Sequence, residues 1–274
     1  HLNLDHWLAG YTDDGKVVTL NTVAGQQIEG DALLGADGVW SRVRQQLLND
    51  GPPRVTGHLA YRTMLCQSAL PAALRSTQVT AWLGPRLHVV QYPVRGGEWM
   101  NVVAIVHGDP PADAQGWDHG ANAADLARAM GATCAPLREL IAAVPDATVN
   151  DHAWRLWALA DRPPVEGAEQ MACGLVALAG DAAHPMRPYL AQGAGMAIED
   201  AAELARALAM DAVDVPTRLK RYALARWQRC ARVQARSIRN GQIFHSTGLM
   251  RLGRDASIKL LGERILDVPW LYAG

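Results

Sequence analysis

A chain of 274 residues, 49% of them hydrophobic and 19% charged, has enough apolar material for one large core or two modest ones, which excludes a disordered polyelectrolyte. Its 26 Lys and Arg nearly balance its 27 Asp and Glu, so a net charge of −1 supplies no global field for nucleic acid, and no run of about eighteen apolar residues marks a membrane span. Cys66, Cys134, Cys173 and Cys230 form no Cys-x-x-Cys pair, which argues against a zinc site or a redox dithiol, and the absence of a secretion-signal pattern fits a reduced, cytoplasmic protein with no metal expected.

Leu2 to Leu8 and Lys16 to Asn21 read as strands joined by Thr12-Asp13-Asp14-Gly15, where Asp-Gly supplies the positive backbone angles of a tight hairpin. The apolar run Ala32-Leu33-Leu34 stops at Gly35-Ala36-Asp37-Gly38, and Ser41 is placed to cap a helix from Arg42 to about Leu48. From Gly57 to Val106 the periodicity is that of long strands, with Arg95-Gly96-Gly97 turning between Arg86 to Val94 and Trp99 to Val106. His88 and Tyr92, four apart on one of these strands, point to the same face. That face presents both to a ligand or is simply half-buried.

Ala121 to Val144 is alanine-rich and interrupted by Gly131 and Pro136, which predicts two short helices packed on the sheet. Leu175 to Ala179 is a continuous apolar run, as in a strand buried on both faces of a layered α/β domain, and Gly180-Asp181-Ala182-Ala183-His184-Pro185 follows it directly. Gln192 to Met210 predicts a helix whose packing stripe is Ile198, Ala202, Ala205 and Ala209. A further helix spans Thr217 to Asn240; its Arg218, Lys220, Arg221, Arg226, Arg229, Arg232, Arg236 and Arg239 read as a solvated face. Trp7, Trp40, Trp82, Trp99, Trp154, Trp157 and Trp227 read as core residues.

Two glycine-bearing turns thus each leave a buried strand with an Asp beside a Gly, where a carboxylate meets a nucleotide or sugar hydroxyl; by itself either is equally a plain turn. The longer context is informative. Leu34-Gly35-Ala36-Asp37-Gly38-Val39-Trp40-Ser41-Arg42-Val43-Arg44 resembles the Asp-Gly motif of the single-component flavin aromatic hydroxylases, the group that includes salicylate and hydroxybenzoate hydroxylases. Val176 to Pro185, continuing through Pro188, Gln192-Gly193-Ala194-Gly195 and Ile198-Glu199-Asp200-Ala201, resembles their Gly-Asp motif, in the same order along the chain.

That resemblance implies an FAD-dependent monooxygenase acting on a small hydroxybenzoate-like aromatic acid with NADH or NADPH and O2, with no nucleic-acid or membrane partner and with a homodimer left open. It implies that Gly180 and Asp181 meet the FAD ribityl chain, that the N–H groups of Gly193, Ala194 and Gly195 face the electron-rich flavin edge beside Pro188, and that Asp37, Gly38 and Arg44 lie near the pyrophosphate and the nicotinamide donor. His88 and Tyr92 would take or share the phenolic proton, and Gln192 would sit near the reacting edge of the flavin. His184 reads as part of the turn, and Arg187 as a loop residue or a partner for a substrate carboxylate.

The expected fold is α/β. A Rossmann-like FAD-binding remnant (1–50 and 151–210) is interleaved with a mostly antiparallel substrate sheet (51–150) and followed by a helical segment (211–274). The family opens on a Gly-x-Gly-x-x-Gly turn that this sequence lacks, so the family's amino-terminal nucleotide-binding segment is expected to be missing. The rival readings are a monooxygenase or epoxidase for a non-aromatic substrate, and a non-catalytic flavoprotein fragment that binds no FAD.

Overall fold

The computed structural model describes residues 1–116, 119–144, 154–262 and 268–272. Two compact units are formed, one from His1–Arg54 with Ala160–Asn240, the other from Val55–Leu159 with Gly241–Gly274. The domain boundary expected between residues 150 and 151 lies outside the described residues.

The first unit begins with an antiparallel meander, β1 (Leu8–Asp13), β2 (Val18–Thr22) and β3 (Gln27–Gly30). The Asp-rich turn works as expected: Asp13 accepts from Gly15 N–H, and Asp14 from Lys16 and Val17 N–H, each at 2.8 Å. The first strand, however, begins at Leu8 where the sequence suggested Leu2 to Leu8. Pairing starts at Asp13 opposite Val18 and ends at Leu8 opposite Thr22, with a last bond from Val23 N–H to Trp7 C=O at 2.8 Å closing the ladder. Trp7, expected in a core, is 76% exposed, whereas Trp154 is buried. Next come β4 (Leu33–Gly35) and α1 (Arg42–Leu48), capped by Ser41 Oγ accepting from Arg44 N–H. The helix lies so close to β4 that a Cβ on Gly35 would stand 2.8 Å from Val43 Cβ.

The second unit carries β5 (Arg54–Cys66), β6 (Thr80–Gly84), β7 (Leu87–Val94), β8 (Trp99–His107), β9 (His119–Ala121), α2 (Ala123–Met130), α3 (Ala135–Ala142) and β10 (Trp154–Asp161). The strands form one sheet in the order β6-β7-β8-β5-β10-β9, with β6, β7, β8 and β5 antiparallel. Both short helices are present. Asn122 caps α2, which ends at Gly131 with φ +64°, and Pro136 opens α3. One face of the sheet, with Leu87, Val89, Val102 and Ala104, buries its side chains with Leu126 and Leu140 of the helices. Strand alternation puts His88, Val90 and Tyr92 on the other face, in register with Ile105, Val103 and Asn101.

Back in the first unit, β11 (Ala172–Cys173) pairs antiparallel with β12 (Val176–Leu178), which runs parallel to β4. Then follow α4 (Gly193–Leu208) and α5 (Val215–Phe244), and the chain closes with α6 (Gly248–Leu261) and α7 (Pro269–Tyr272) of the second unit. Two expectations about the long helices are corrected. The buried stripe of α4 is Met196, Asp200, Leu204 and Ala207, while Ile198 is 71% exposed. On α5, Lys220, Arg221, Arg232 and Arg239 are exposed as expected, but Arg226 is buried. Asp200 and Arg226 go inside together because each is the other's counter-ion: Arg226 Nε donates to Asp200 Oδ1 at 2.8 Å.

Candidate functional site

β4 and β12 lie side by side with Leu33, Leu34 and Gly35 in register with Val176, Ala177 and Leu178. Ala179 N–H continues the ladder by donating to Gly35 C=O at 2.9 Å. Because the two strands run the same way, both Asp-bearing turns leave the same edge of the small sheet, the carboxyl-end position at which α/β sheets bind ligands. Residues some 140 positions apart in the chain (from Gly35-Ala36-Asp37-Gly38 to Gly180-Asp181) are thereby brought to one place.

In the first turn Gly38 adopts φ +78°. The Asp37 carboxylate accepts from Ser41 Oγ at 2.6 Å, Arg42 N–H at 2.8 Å and Val43 N–H at 3.2 Å, so it joins Ser41 in closing the first turn of α1. Arg44 is buried. Its Nε donates to Asp50 Oδ2 at 2.7 Å and its Nη1 to the carbonyls of Ala182 and Ala183. The first motif therefore braces the second from below, with its guanidinium turned inward.

In the second turn Gly180 takes φ +58°, and a Cβ there would stand 3.3 Å from Ala197 Cβ, so the residue is glycine on two counts. Its N–H donates to Asp200 Oδ2 at 2.8 Å. Asp181 keeps solvent exposure, yet the protein crowded around its carboxyl raises its pKa, opposed by the positive charge of His184. Opposite stands the start of α4. A Cβ on Gly193 would lie 4.0 Å from Asp181 Oδ1, and one on Gly195 would lie 3.5 Å from Gln192 Oε1. The helix's own bonding begins with Met196 N–H donating to Gln192 C=O at 2.8 Å, so the N–H groups of Gly193, Ala194 and Gly195 precede any intrahelical acceptor. Ala191 reaches this start in the left-handed region, φ +53°, and Pro188 is exposed on the loop leading to it. The result is an acidic side chain beside unprotected helix donors and small residues. It suits a polar hydroxylated chain beside a group that carries negative charge.

Apart from His184, read as part of the turn, the supports of this turn were not legible beforehand. His184, fully buried, holds Asp200 Oδ2 at 2.6 Å. Burial alone would lower its pKa, but the bond to Asp200 overrides it and pushes it up to about 10. Glu199 accepts from Arg226 and from Arg229, so two carboxylates and two guanidiniums lock α4 to α5. Further along α5, Gln234 Nε2, Ser237 Oγ and Asn240 Nδ2 donate to the carbonyls of Pro185, Arg187 and Tyr189 at 3.1, 2.6 and 3.2 Å. Their spacing of three residues was the available signal: a polar stripe on a buried helix face. Arg187, read as a loop residue or a substrate partner, instead donates from Nε to the buried Asp161 at 2.7 Å, a carboxylate also held by Arg54.

Within the second unit His88 and Tyr92 do share a face of β7. His88 is 3% exposed; its Nδ1 lies 2.7 Å from Nε2 of His245 and its ring meets Phe244 edge-on. Burial lowers its pKa to about 4, so the ring is neutral at neutral pH, with one donor and one acceptor nitrogen. Tyr92 is partly exposed and stands opposite Asn101, whose Oδ1 accepts from Arg62 Nε at 2.9 Å. His245, just beyond α5, was not singled out from the sequence, since a lone His after a helix carries no pattern.

With this geometry in hand, known proteins offer a comparison. The family described as FAD binding domain matches residues 8–237. The chain is similar to 3-hydroxybenzoate 6-hydroxylase of Polaromonas naphthalenivorans (strain CJ2), 39% identical across 95% of this chain and 62% of that protein. It is also 37% identical to 3-hydroxybenzoate 6-hydroxylase 2 of Aquipseudomonas alcaligenes, over 94% of this chain and 78% of that one. Among solved structures, a salicylate hydroxylase substrate complex superposes with a TM-score of 0.82 at 27% identity, covering 99% of this chain and 68% of the other. Klebsiella pneumoniae HpxO complexed with FAD and uric acid does so at 0.78 and 26%, covering 95% and 64%. The chain thus spans 62% of the length of the first of these relatives.

Proposed function

Because the chain belongs to the FAD-binding family of aromatic hydroxylases, we propose that it is the part of an FAD-dependent monooxygenase that carries the Asp-Gly and Gly-Asp motifs and the substrate sheet, hydroxylating a hydroxybenzoate-like acid with NADH or NADPH and O2. One observation carries the reading: two Asp-bearing turns at the carboxyl ends of parallel neighbours, with Asp181 Oδ1 beside Gly193 at the start of α4. The residues fit the flavin. FAD, when bound, takes reducing equivalents from the nicotinamide and, with dioxygen, supplies the oxygen atom that enters the ring.

The chain's residues would hold and polarise that cofactor. Asp181, at the Gly180 turn, accepts hydrogen bonds from the ribityl hydroxyls, and the N–H groups of Gly193, Ala194 and Gly195 stabilise negative charge at the flavin's electron-rich edge. Asp37, Gly38 and Arg44 shape the neighbouring turn, and Pro188 borders the site. In the second unit neutral His88 accepts the phenolic proton and Tyr92 shares it; in the first unit Gln192 orients the reacting edge. Residues 1–50 and 151–210 are on this reading the FAD-binding domain, and 51–150 the substrate domain. Relatives named for 3-hydroxybenzoate and for 3-amino-4-hydroxybenzoate favour a ring that carries both a hydroxyl and a carboxylate. A cytoplasmic site of action agrees with the dependence on NAD(P)H and with the finding that no described helix is long and apolar enough to cross a membrane.

The test is flavin retention. Asp181→Ala should weaken FAD binding by about tenfold to a hundredfold, the loss of hydrogen bonds to a charged group worth about 1.5–3 kcal/mol. The visible flavin band after removal of free FAD, followed by aromatic-stimulated NAD(P)H oxidation with hydroxybenzoates, reads it out. Undiminished affinity in the variant would remove Asp181 from the site.

A further inference from the structure

Four histidines crowd one place in the second unit: His58 on β5, His88 on β7, His107 on β8 and His245 just past α5. His58 and His107 are direct cross-strand partners, with ring centroids 4.2 Å apart, and the His245 ring lies 5.0 Å from each. One ring nitrogen each from His58, His107 and His245 falls within 4.8 Å of the other two. We propose that these three histidines form a binding site for a divalent transition-metal ion such as Zn2+ or Co2+.

The chemistry of the donors selects the ligand. A neutral imidazole offers a single lone pair, and three converging lone pairs are the donor set of borderline metals, not of Ca2+ or Mg2+, which take oxygen. The geometry needs little change. A tetrahedral ion with Zn–N bonds of about 2.0–2.1 Å sets its nitrogens about 3.3 Å apart. His107 Nε2 and His245 Nδ1 are now 2.9 Å apart, sharing a hydrogen that the metal would replace.

The ligands are also anchored independently. His58 and His107 sit on neighbouring strands of the sheet, and the carbonyl of His245 accepts from Arg86 N–H at 3.2 Å. The second nitrogen of His245, Nε2, is engaged by His88 Nδ1 at 2.7 Å, the outer hydrogen bond that fixes which ring nitrogen faces the ion. His58 and His245 are each 7% exposed, so the ion would be largely desolvated, while the partly exposed His107 leaves a path for entry and a fourth position for water. The inference does not rest on the proposed hydroxylation, and the two exclude each other at one ring: with the ion on His245 Nδ1, His245 Nε2–H donates to His88 Nδ1, so His88 accepts a phenolic proton only in the metal-free chain.

The experiment is a Co2+ titration of the chelator-stripped chain, read by visible d–d absorption, with Zn2+ retention after gel filtration measured by mass spectrometry. Expected are tetrahedral Co2+ bands, about one Zn2+ per chain, and at least about a tenfold loss of affinity in His107→Gln and in His245→Gln. His6→Gln, at an exposed histidine, should bind as the parent does. If circular dichroism shows His245→Gln unfolded, His107→Gln at the partly exposed ligand decides. Absence of bands and retention in the folded parent, or binding that survives His107→Gln, would overturn the site and leave a hydrogen-bonded histidine cluster only.

Discussion

Asp200→Asn removes the single charge on which the Gly-Asp turn is hung. Gly180 N–H, His184 Nε2 and Arg226 Nε all donate to that carboxylate, at 2.8, 2.6 and 2.8 Å. The asparagine keeps the shape but leaves two buried cations facing a neutral amide, and breaking a buried pair in this way costs about 3–5 kcal/mol. A second route gives a similar size: displacement of the His184 pKa from 6.5 to about 10 corresponds to roughly 5 kcal/mol, at about 1.4 kcal/mol for each pKa unit. The sign follows from linkage. A raised His pKa gives stability that is complete below about 6.5 and lost as pH climbs through about 10. Urea midpoints followed by tryptophan fluorescence from pH 6 to about 10 should fall steadily for the parent, whereas the variant should start lower by most of that amount and change little over the same range. Parallel pH slopes for the two proteins would refute the claim that this ion pair carries the turn.

Gly35→Ala should destabilise the chain by about 1–3 kcal/mol, because the new methyl would stand 2.8 Å from Val43 Cβ and 2.9 Å from Leu178 Cδ2; a thermal midpoint equal to the parent's would show that α1 can back away from β4. His88→Asn and Tyr92→Phe, tested in a flavin-loaded enzyme, should lower hydroxylation while leaving flavin content unchanged, the His88 change by about a hundredfold or more if it acts as general base. Unchanged turnover in both would place the proton acceptor elsewhere.

Some of this molecule is written locally. The Asp13-Asp14-Gly15 turn, the Ser41 cap, the break between α2 and α3 at Gly131 and Pro136, and the Arg95-Gly96-Gly97 turn each rest on residues that constrain their own backbone, and each appears where the local chemistry requires it. The two Asp-bearing turns were legible for the same reason, as was their family. The start of β1 was not, since a strand extends only as far as a partner accompanies it.

What the sequence determined by itself, then, were most of the elements (though not β3 or β10), the turns between them and the pair of motifs that name the family. The tertiary structure decided which way α4 faces, why Arg226 is inside, which carbonyls Gln234, Ser237 and Asn240 serve, and that His58, His88, His107 and His245 meet. Each of those depends on a buried polar group whose partner is remote in the chain; the His88 and His245 rings are 157 residues apart. A hydropathy stripe scores Asp200 as a surface residue, because burying a charge is unfavourable until a counter-ion arrives, and the counter-ion becomes visible only when α4 and α5 are packed together.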